Sequence, residues 1–262
     1  MRVSRSAAIV LGIISSVVMA AVYLPLLVVL LNSFNTSMNM DWPPPGFTFE
    51  WWQRAFGSAG LIAALGTSVA IALGASLIAL VLGTLLALAL SRYDFFGKQS
   101  VGLMVILPIA LPGIVTGLAL NNAFRTVLGM QLGMATVIIA HATFCIVTVY
   151  NNVLARLSRA NRNLEDASAD LGAGVFTTFR LVTLPQIGSA LVAGGLLAFA
   201  LSFDEIIVTT FTAGAGVETL PIWILNNMFR PGKAPVVDVV AVTTVLISVV
   251  PLYFAQRLSH EN

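Results

Sequence analysis

Asp204 and Glu205 stand side by side inside an apolar stretch of the sequence, and they are the first residues to which chemistry can be assigned. A charge held at the centre of a bilayer costs roughly 3 kcal/mol on insertion scales, so acids in that setting usually face a cavity and act on a cation or a proton. Neighbouring helix residues point about 100° apart, so at most one of the two faces a pore squarely, which leaves the other to meet a neighbouring helix. Asp204 is the stronger candidate contact for a cationic solute group, with Glu205 and the hydroxyl of Thr209 as further candidates. The alternative is that the acids cap a broken helix or pair with an arginine of a partner subunit. Thr209 and Thr210 equally suit the satisfaction of backbone carbonyls in their own helix.

Other chemistries are short of residues. His141 has no second His or Cys at ligand spacing, which suits a packed or water-facing histidine and predicts no metal site. Cys145 is the only cysteine, so no disulfide within the chain and no C-x-x-C motif exist. No nucleophile has a base at hand, so no catalytic residue is expected and the chain reads as a non-enzyme. Phosphate binding by a P-loop needs Gly-Lys followed by Ser or Thr. The two lysines are followed by Gln99 and Ala234, so this chain cannot supply that ATP site. A formal charge of +2, with no concentrated run of Lys and Arg, sets nucleic acid aside as a partner.

The elements that must position these residues are membrane spans. Apolar residues make up 58% of the 262-residue chain and charged ones only 9%, against roughly a quarter charged in soluble domains. Crossing the hydrocarbon takes about 20 mainly apolar residues. The sequence offers six such runs, near 7–31, 61–90, 101–123, 132–154, 187–212 and 236–256. The expectation is an all-α integral membrane protein of one domain, residues 1–262, surrounded by lipid. The first run follows Arg2 and Arg5 but is too long for a signal-peptide core, so it reads as a retained span.

Six spans put both ends on one side. Arg2, Arg5, Arg92, Lys98, Arg156, Arg159, Arg162, Arg180 and Arg257 fall there, while Arg54, Arg125, Arg230 and Lys233 fall opposite. Positive charge favours the cytoplasm, which places both termini inside. The outer connection near 32–60 carries Trp42-Pro43-Pro44-Pro45-Gly46 and Trp51-Trp52, suited to anchoring in the headgroup zone or to docking an external partner. In the third run Pro108 and Pro112 predict a kink, and Gly113 and Gly117, four apart, predict close approach of a neighbouring helix.

Between the fourth and fifth runs lies an ordered-looking segment, about 155–186, too long to be a mere turn. Asn163 is placed to cap a helix with Asp166 at its third position, and Glu165 and Asp166 suit that helix's positive end. Gly172 can take the left-handed conformation that ends it. Val175, Phe176, Phe179, Leu181 and Val182 then form a second short helix, stopped before Pro185. Two short helices lying across the membrane surface would make a knob for a groove on another protein.

This spacing resembles the EAA loop of ABC importer permeases. Glu165, Ala167, Gly172, Phe179, Leu184 and Pro185 occupy the acid, Ala, Gly, aromatic and Leu-Pro places, while Asp166 stands where that family usually has its first Ala and Ser189 where a second Pro often follows. The resemblance implies a type I, MetI-like permease fold in a bacterial inner membrane, with this loop as the coupling helix docked on a separate ATPase dimer. It also implies a homologous second permease and a periplasmic or lipid-anchored solute-binding protein as partners, with ATP and Mg bound by the ATPase. Leu111-Pro112-Gly113, Ser202-Phe203-Asp204-Glu205 and Thr219-Leu220-Pro221-Ile222-Trp223 resemble the PotC type of permease, which implies uptake of spermidine, putrescine or a related small amine by alternating access. A secondary transporter or channel without an ATPase is the alternative, and it leaves the Gly-hinged loop without a role.

Overall fold

The computed structural model describes residues 5–260, with side chains described from residue 7 to residue 247. The chain runs α1 (Arg5–Asn32), α2 (Glu50–Phe56), α3 (Ala59–Arg92), α4 (Lys98–Ala110), α5 (Gly113–Asn122), α6 (Met134–Leu157), α7 (Asn163–Asp170), α8 (Val175–Thr178), α9 (Leu184–Phe203), α10 (Ile207–Thr212), α11 (Leu220–Met228) and α12 (Ala234–His260). Among the described residues the only β pairing is an isolated bridge between Asn35 and Phe47.

Four helical runs are long and apolar enough to cross a membrane: Ala7–Asn32, Ala59–Arg92, Met134–Leu157 and Val175–Phe203. The bent pair α4 and α5 makes a fifth if it counts as one crossing. The expected run 236–256 falls within α12, whose side chains after Ile247 lie outside the described residues, as do Arg2 and Arg257.

Two expected spans are corrected. The third is not one kinked helix but two helices meeting at 107°. Leu111 precedes a proline and is pushed to extended backbone, φ −84° and ψ 143°, and Pro112 follows at ψ 134°, so the ladder is broken and not merely bent. The fifth was expected at 187–212, but the continuous helix is Val175–Phe203 and α10 is a separate piece beyond a break.

Contacts group the chain into two compact units, Met1–Ile62 with Trp223–Val250 and Ala63–Ile222 with Pro251–Asn262. In the first, the segment after α1 folds on itself. Trp51 is buried, and its indole N–H donates to Asn35 O at 2.7 Å, while the Arg54 guanidinium lies 4.9 Å from the ring centre. Trp51 is therefore the core of the segment between α1 and α3, not a headgroup anchor; Trp42 is the exposed one.

In the second unit α6 packs along α9, and Ala79 and Ala87 of α3 join Val149, Val153, Ile187 and Ala198 in one apolar cluster. Small residues set the spacing. A Cβ on Gly83 would sit 2.9 Å from both Ile146 O and Val149 Cβ, and one on Gly194 would sit 3.3 Å from Val149 Cα. Overpacking a tight core costs about 1–3 kcal/mol, so Gly83→Ala is expected to lower the temperature at which the detergent-solubilised protein loses its monodisperse chromatographic peak. Gly66, with open space around it, is the control: Gly66→Ala, which favours helix by about 1 kcal/mol, should leave that temperature unchanged or raise it.

Candidate functional site

The connecting loop is clasped to the base of α3. Glu165 Oε1 accepts from Arg92 Nη2 at 2.6 Å and from Thr183 Oγ1 at 2.8 Å, so one carboxylate joins α3, α7 and the turn that leads into α9. Arg162 adds a weaker contact from Nη2 to Ser91 O at 3.4 Å. Across the Gly172 turn, the Ser168 and Thr178 hydroxyls meet at 3.0 Å, and Arg156 Nε donates to Gln186 O at 2.8 Å. Outside the clasp, Lys98 bonds Asp94 at 2.8 Å and holds that carboxyl below its ordinary range.

The start of α7 differs from expectation. Asn163 is already helical; Asn161 Oδ1 accepts from Asn163 N at 3.1 Å, and Arg162 O accepts from Glu165 N at 3.0 Å and Asp166 N at 3.2 Å. Asn161 makes the turn two residues earlier because its short side chain reaches forward to its own backbone. Asp166 and Ala167 are exposed on the outer face. Gly172 takes φ +82°, ending α7 as its type allows, while Gly172 N and Ala173 N close the turn on Ala169 O and Ser168 O. A Cβ there would meet nothing, so the backbone angle and not space requires glycine.

Pro185 does not stop a helix. Val175–Phe203 is one helical run of 29 residues, with a π turn at Phe179–Thr183 where Leu184 N bonds Phe179 O, five residues back. The widened turn shifts the ladder so that no α-type bond is asked of Pro185, whose missing N–H and bulky ring would disrupt a regular one. Only α7 is thus a separate loop helix, and α8 is the first turn of a span. Phe179 and Leu184 line an open apolar groove of about 670 Å³ with Leu80, Leu85, Leu191 and Gly195. Leu171, 89% exposed, and Phe176, 75% exposed, form an apolar tip on the loop.

The second constellation is the break after α9. Asp204 caps the C-terminus of α9, its N–H bonding Ala200 O at 3.2 Å, and its exposed carboxylate has no partner among the described residues. Glu205 turns the other way, Oε1 accepting from Val208 N at 2.9 Å in the first turn of α10. Thr209 is buried and donates to Glu205 O at 2.8 Å, and Thr210 donates to Ile206 O at 2.7 Å, so both hydroxyls serve the backbone. His141 on α6 touches Ser202 Oγ at 2.8 Å and Thr209 Oγ1 at 2.9 Å.

α10 is seated from several sides. A Cβ on Gly113 would lie 3.6 Å from Ile207 and one on Gly117 2.8 Å from Phe211, so the small-residue stripe of α5 admits this helix closely. Asn121 Nδ2 donates to Phe211 O, and Thr136 Oγ1 lies 2.8 Å from Thr212 O.

Sequence reasoning missed Arg92 and Thr183 as the partners of Glu165, since contacts 73 and 18 residues apart leave no local pattern. It also passed over Asp238, a third acid in an apolar run, which lies in α12 with Oδ2 buried and unpartnered. The signal was there, an acid flanked by Val236, Val237, Val239 and Val240. No group of three or more His, Cys, Asp or Glu able to hold a metal occurs among the described residues.

The family model for the inner membrane component of binding-protein-dependent transport systems matches residues 79–261. The chain is 34% identical over 247 residues to the spermidine/putrescine transport system permease protein PotC of Haemophilus influenzae, covering 94% of this chain and 95% of that one. It is also 34% identical over 226 residues to the putrescine transport system permease protein PotI of Escherichia coli, covering 84% and 79%. Among solved structures, a bacterial ABC transporter involved in the import of the acidic polysaccharide alginate superposes with a TM-score of 0.78 at 15% identity, covering 98% of this chain and 99% of that one. At that identity the superposition speaks for the fold.

Removing Glu165 leaves the Arg92 guanidinium and the Thr183 hydroxyl short of an acceptor, a cost of about 1–3 kcal/mol for a half-buried group. Glu165→Ala is expected to raise amide hydrogen exchange across 163–171 by about tenfold or more, because 1.4 kcal/mol is tenfold in a local opening equilibrium. Exchange within α6 should stay unchanged; equal protection of 163–171 in the variant and the parent would show that Glu165 does not hold the loop.

Proposed function

The chain belongs to the family of inner membrane components of binding-protein-dependent transport systems, a permease subunit of an ABC importer and not an enzyme, and on that premise we propose that its solute is a small polyamine of the spermidine or putrescine kind, contacted by Asp204. The observation that carries this is the setting of the Asp204 carboxylate. It caps the C-terminus of α9, where the helix dipole is negative and an anion is disfavoured, and it has no counter-charge among the described residues. Glu205, one residue on, sits at the positive end of α10 and is satisfied by a backbone N–H. An ammonium group of the solute would relieve the first acid and gain nothing from the second. The PotC and PotI relatives, permeases of spermidine/putrescine and putrescine transport systems, support the same solute class.

The mechanism follows from how the two constellations are joined. The tip of the loop at Leu171, Val175 and Phe176 is the docking surface for a cytoplasmic ATPase dimer, with Glu165, Asp166, Ala167, Gly172, Phe179, Leu184 and Pro185 shaping its base. Both termini are cytoplasmic, the partner ATPase holds ATP and Mg, a homologous permease completes the pore, and a solute-binding protein delivers the amine from outside. Closure of the ATPase dimer draws the loop inward, and α8 and α9, being one rod from Val175, carry that movement to Asp204. The site is thereby exposed alternately to the two sides.

Two substitutions test this reading in vesicles holding the whole transporter. A charge-assisted hydrogen bond contributes about 1.5–3 kcal/mol, so Asp204→Asn should raise the half-saturating polyamine concentration by roughly 10-fold to 100-fold while the complex still assembles; uptake by an assembled variant with unchanged half-saturation would reject the contact. Gly172→Val forces a β-branched residue to φ +82°, at about 1–2 kcal/mol or more. ATP hydrolysis should then continue without proportionate uptake, and normal coupling in that variant would detach the loop from the ATPase.

A further inference from the structure

His141 is fully buried on α6, and its two ring nitrogens reach across the break after α9, one to Ser202 before it and the other to Thr209 beyond it. Thr209 donates its only hydroxyl proton to Glu205 O, so toward His141 it can only accept, and Nε2 must carry the ring proton. The neutral ring then has Nδ1 as an acceptor, and Ser202 Oγ donates to it. A directed chain results: Ser202 O–H to His141, His141 N–H to Thr209, Thr209 O–H to the Glu205 carbonyl. Its two ends bracket the break itself, which lies between the last ladder bond of α9, Asp204 N to Ala200 O, and the α10 bond from Thr210 N to Ile206 O.

We infer that His141 is the positioning residue of the solute site, holding both ends of the break so that the Asp204 carboxylate is presented free. This rests on the reading of Asp204 as the solute contact. No titration is involved; the ring acts as a neutral, two-ended strut of fixed polarity. A strut of that kind is replaceable in halves, since Gln carries an amide N–H near the place of Nε2 and Ala carries nothing.

The test uses the assembled transporter in vesicles and two independent readouts. With Cys145→Ala and Asp204→Cys, position 204 bears the only thiol of this chain, and its rate of modification by a charged methanethiosulfonate reagent reports how it is presented. Adding His141→Ala is expected to change that rate tenfold or more, and His141→Gln to bring it back within threefold of the parent. Thr209→Val, which keeps the shape and removes the hydroxyl, should reproduce the shift and serves if the alanine variant fails to assemble. Equal rates in His141→Ala, or in Thr209→Val where the alanine variant does not assemble, would overturn the inference. With Asp204 native, His141→Ala should raise half-saturation for polyamine about tenfold with the saturated rate within twofold, and Gln should rescue it. A shifted modification rate with unshifted half-saturation would keep the strut and discard Asp204 as the solute contact.

Discussion

A backbone group inside hydrocarbon has no water to bond, so every interruption of a spanning helix must be answered by the protein itself. This chain interrupts its spans at Leu111–Pro112 and again after Phe203. At the first break the proline removes one donor and the carbonyl of Pro112 takes up Val115 N and Thr116 N. At the second the answer comes from side chains: Glu205 takes Val208 N, Thr209 takes the Glu205 carbonyl, and His141 ties Ser202 to Thr209. The breaks also meet, because α5 lies against α10 through Gly113 and Gly117, and Asn121 bonds Phe211 O. Polar residues in this region are thus committed almost without remainder, which is why an uncommitted carboxylate at Asp204 stands out.

The same constraint explains the base of the loop. A proline two residues into a regular α9 would orphan a carbonyl, yet the chain passes through Pro185 without a stop because the π turn at Phe179–Thr183 rearranges the ladder ahead of it. The result is a loop with one free helix and one span that begins at the loop's own tip. Glu165 then does for the loop what His141 does for the break, a single side chain reaching two elements at once.

Much of this was legible. Length and apolarity located α1, α3, α6 and α12 to within a few residues, because a spanning helix is defined by its own composition. Gly172 was legible as a left-handed stop, since the requirement is local. What was not legible depended on partners distant in sequence. Trp51 looked like a headgroup anchor until Asn35 O supplied its acceptor, and His141 looked solitary because its hydroxyl partners lie 61 and 68 residues away. The Pro185 stop failed because a rule about one residue ignored how the preceding turn can widen. Asp238 was missed through attention to the adjacent pair, although its flanking valines marked it as plainly.

Joining the two constellations through one helix has a mechanical consequence. At about 1.5 Å of rise per residue, the 29 residues of Val175–Phe203 make a rod of roughly 43 Å with the loop tip at one end and Asp204 at the other. In the proposed reading, a displacement imposed at Phe176 reaches Phe203 without crossing a flexible connection, since the π turn is still hydrogen-bonded. In that reading motion is absorbed beyond the rod, at the three-residue gap before α10, and there the strut from α6 resists separation of Ser202 and Thr209. In that reading the carboxylate sits at the joint between the rod and α10, which α5 and α6 seat. A group so placed would change its surroundings if the rod turned, which is what a solute contact in an alternating-access pore must do.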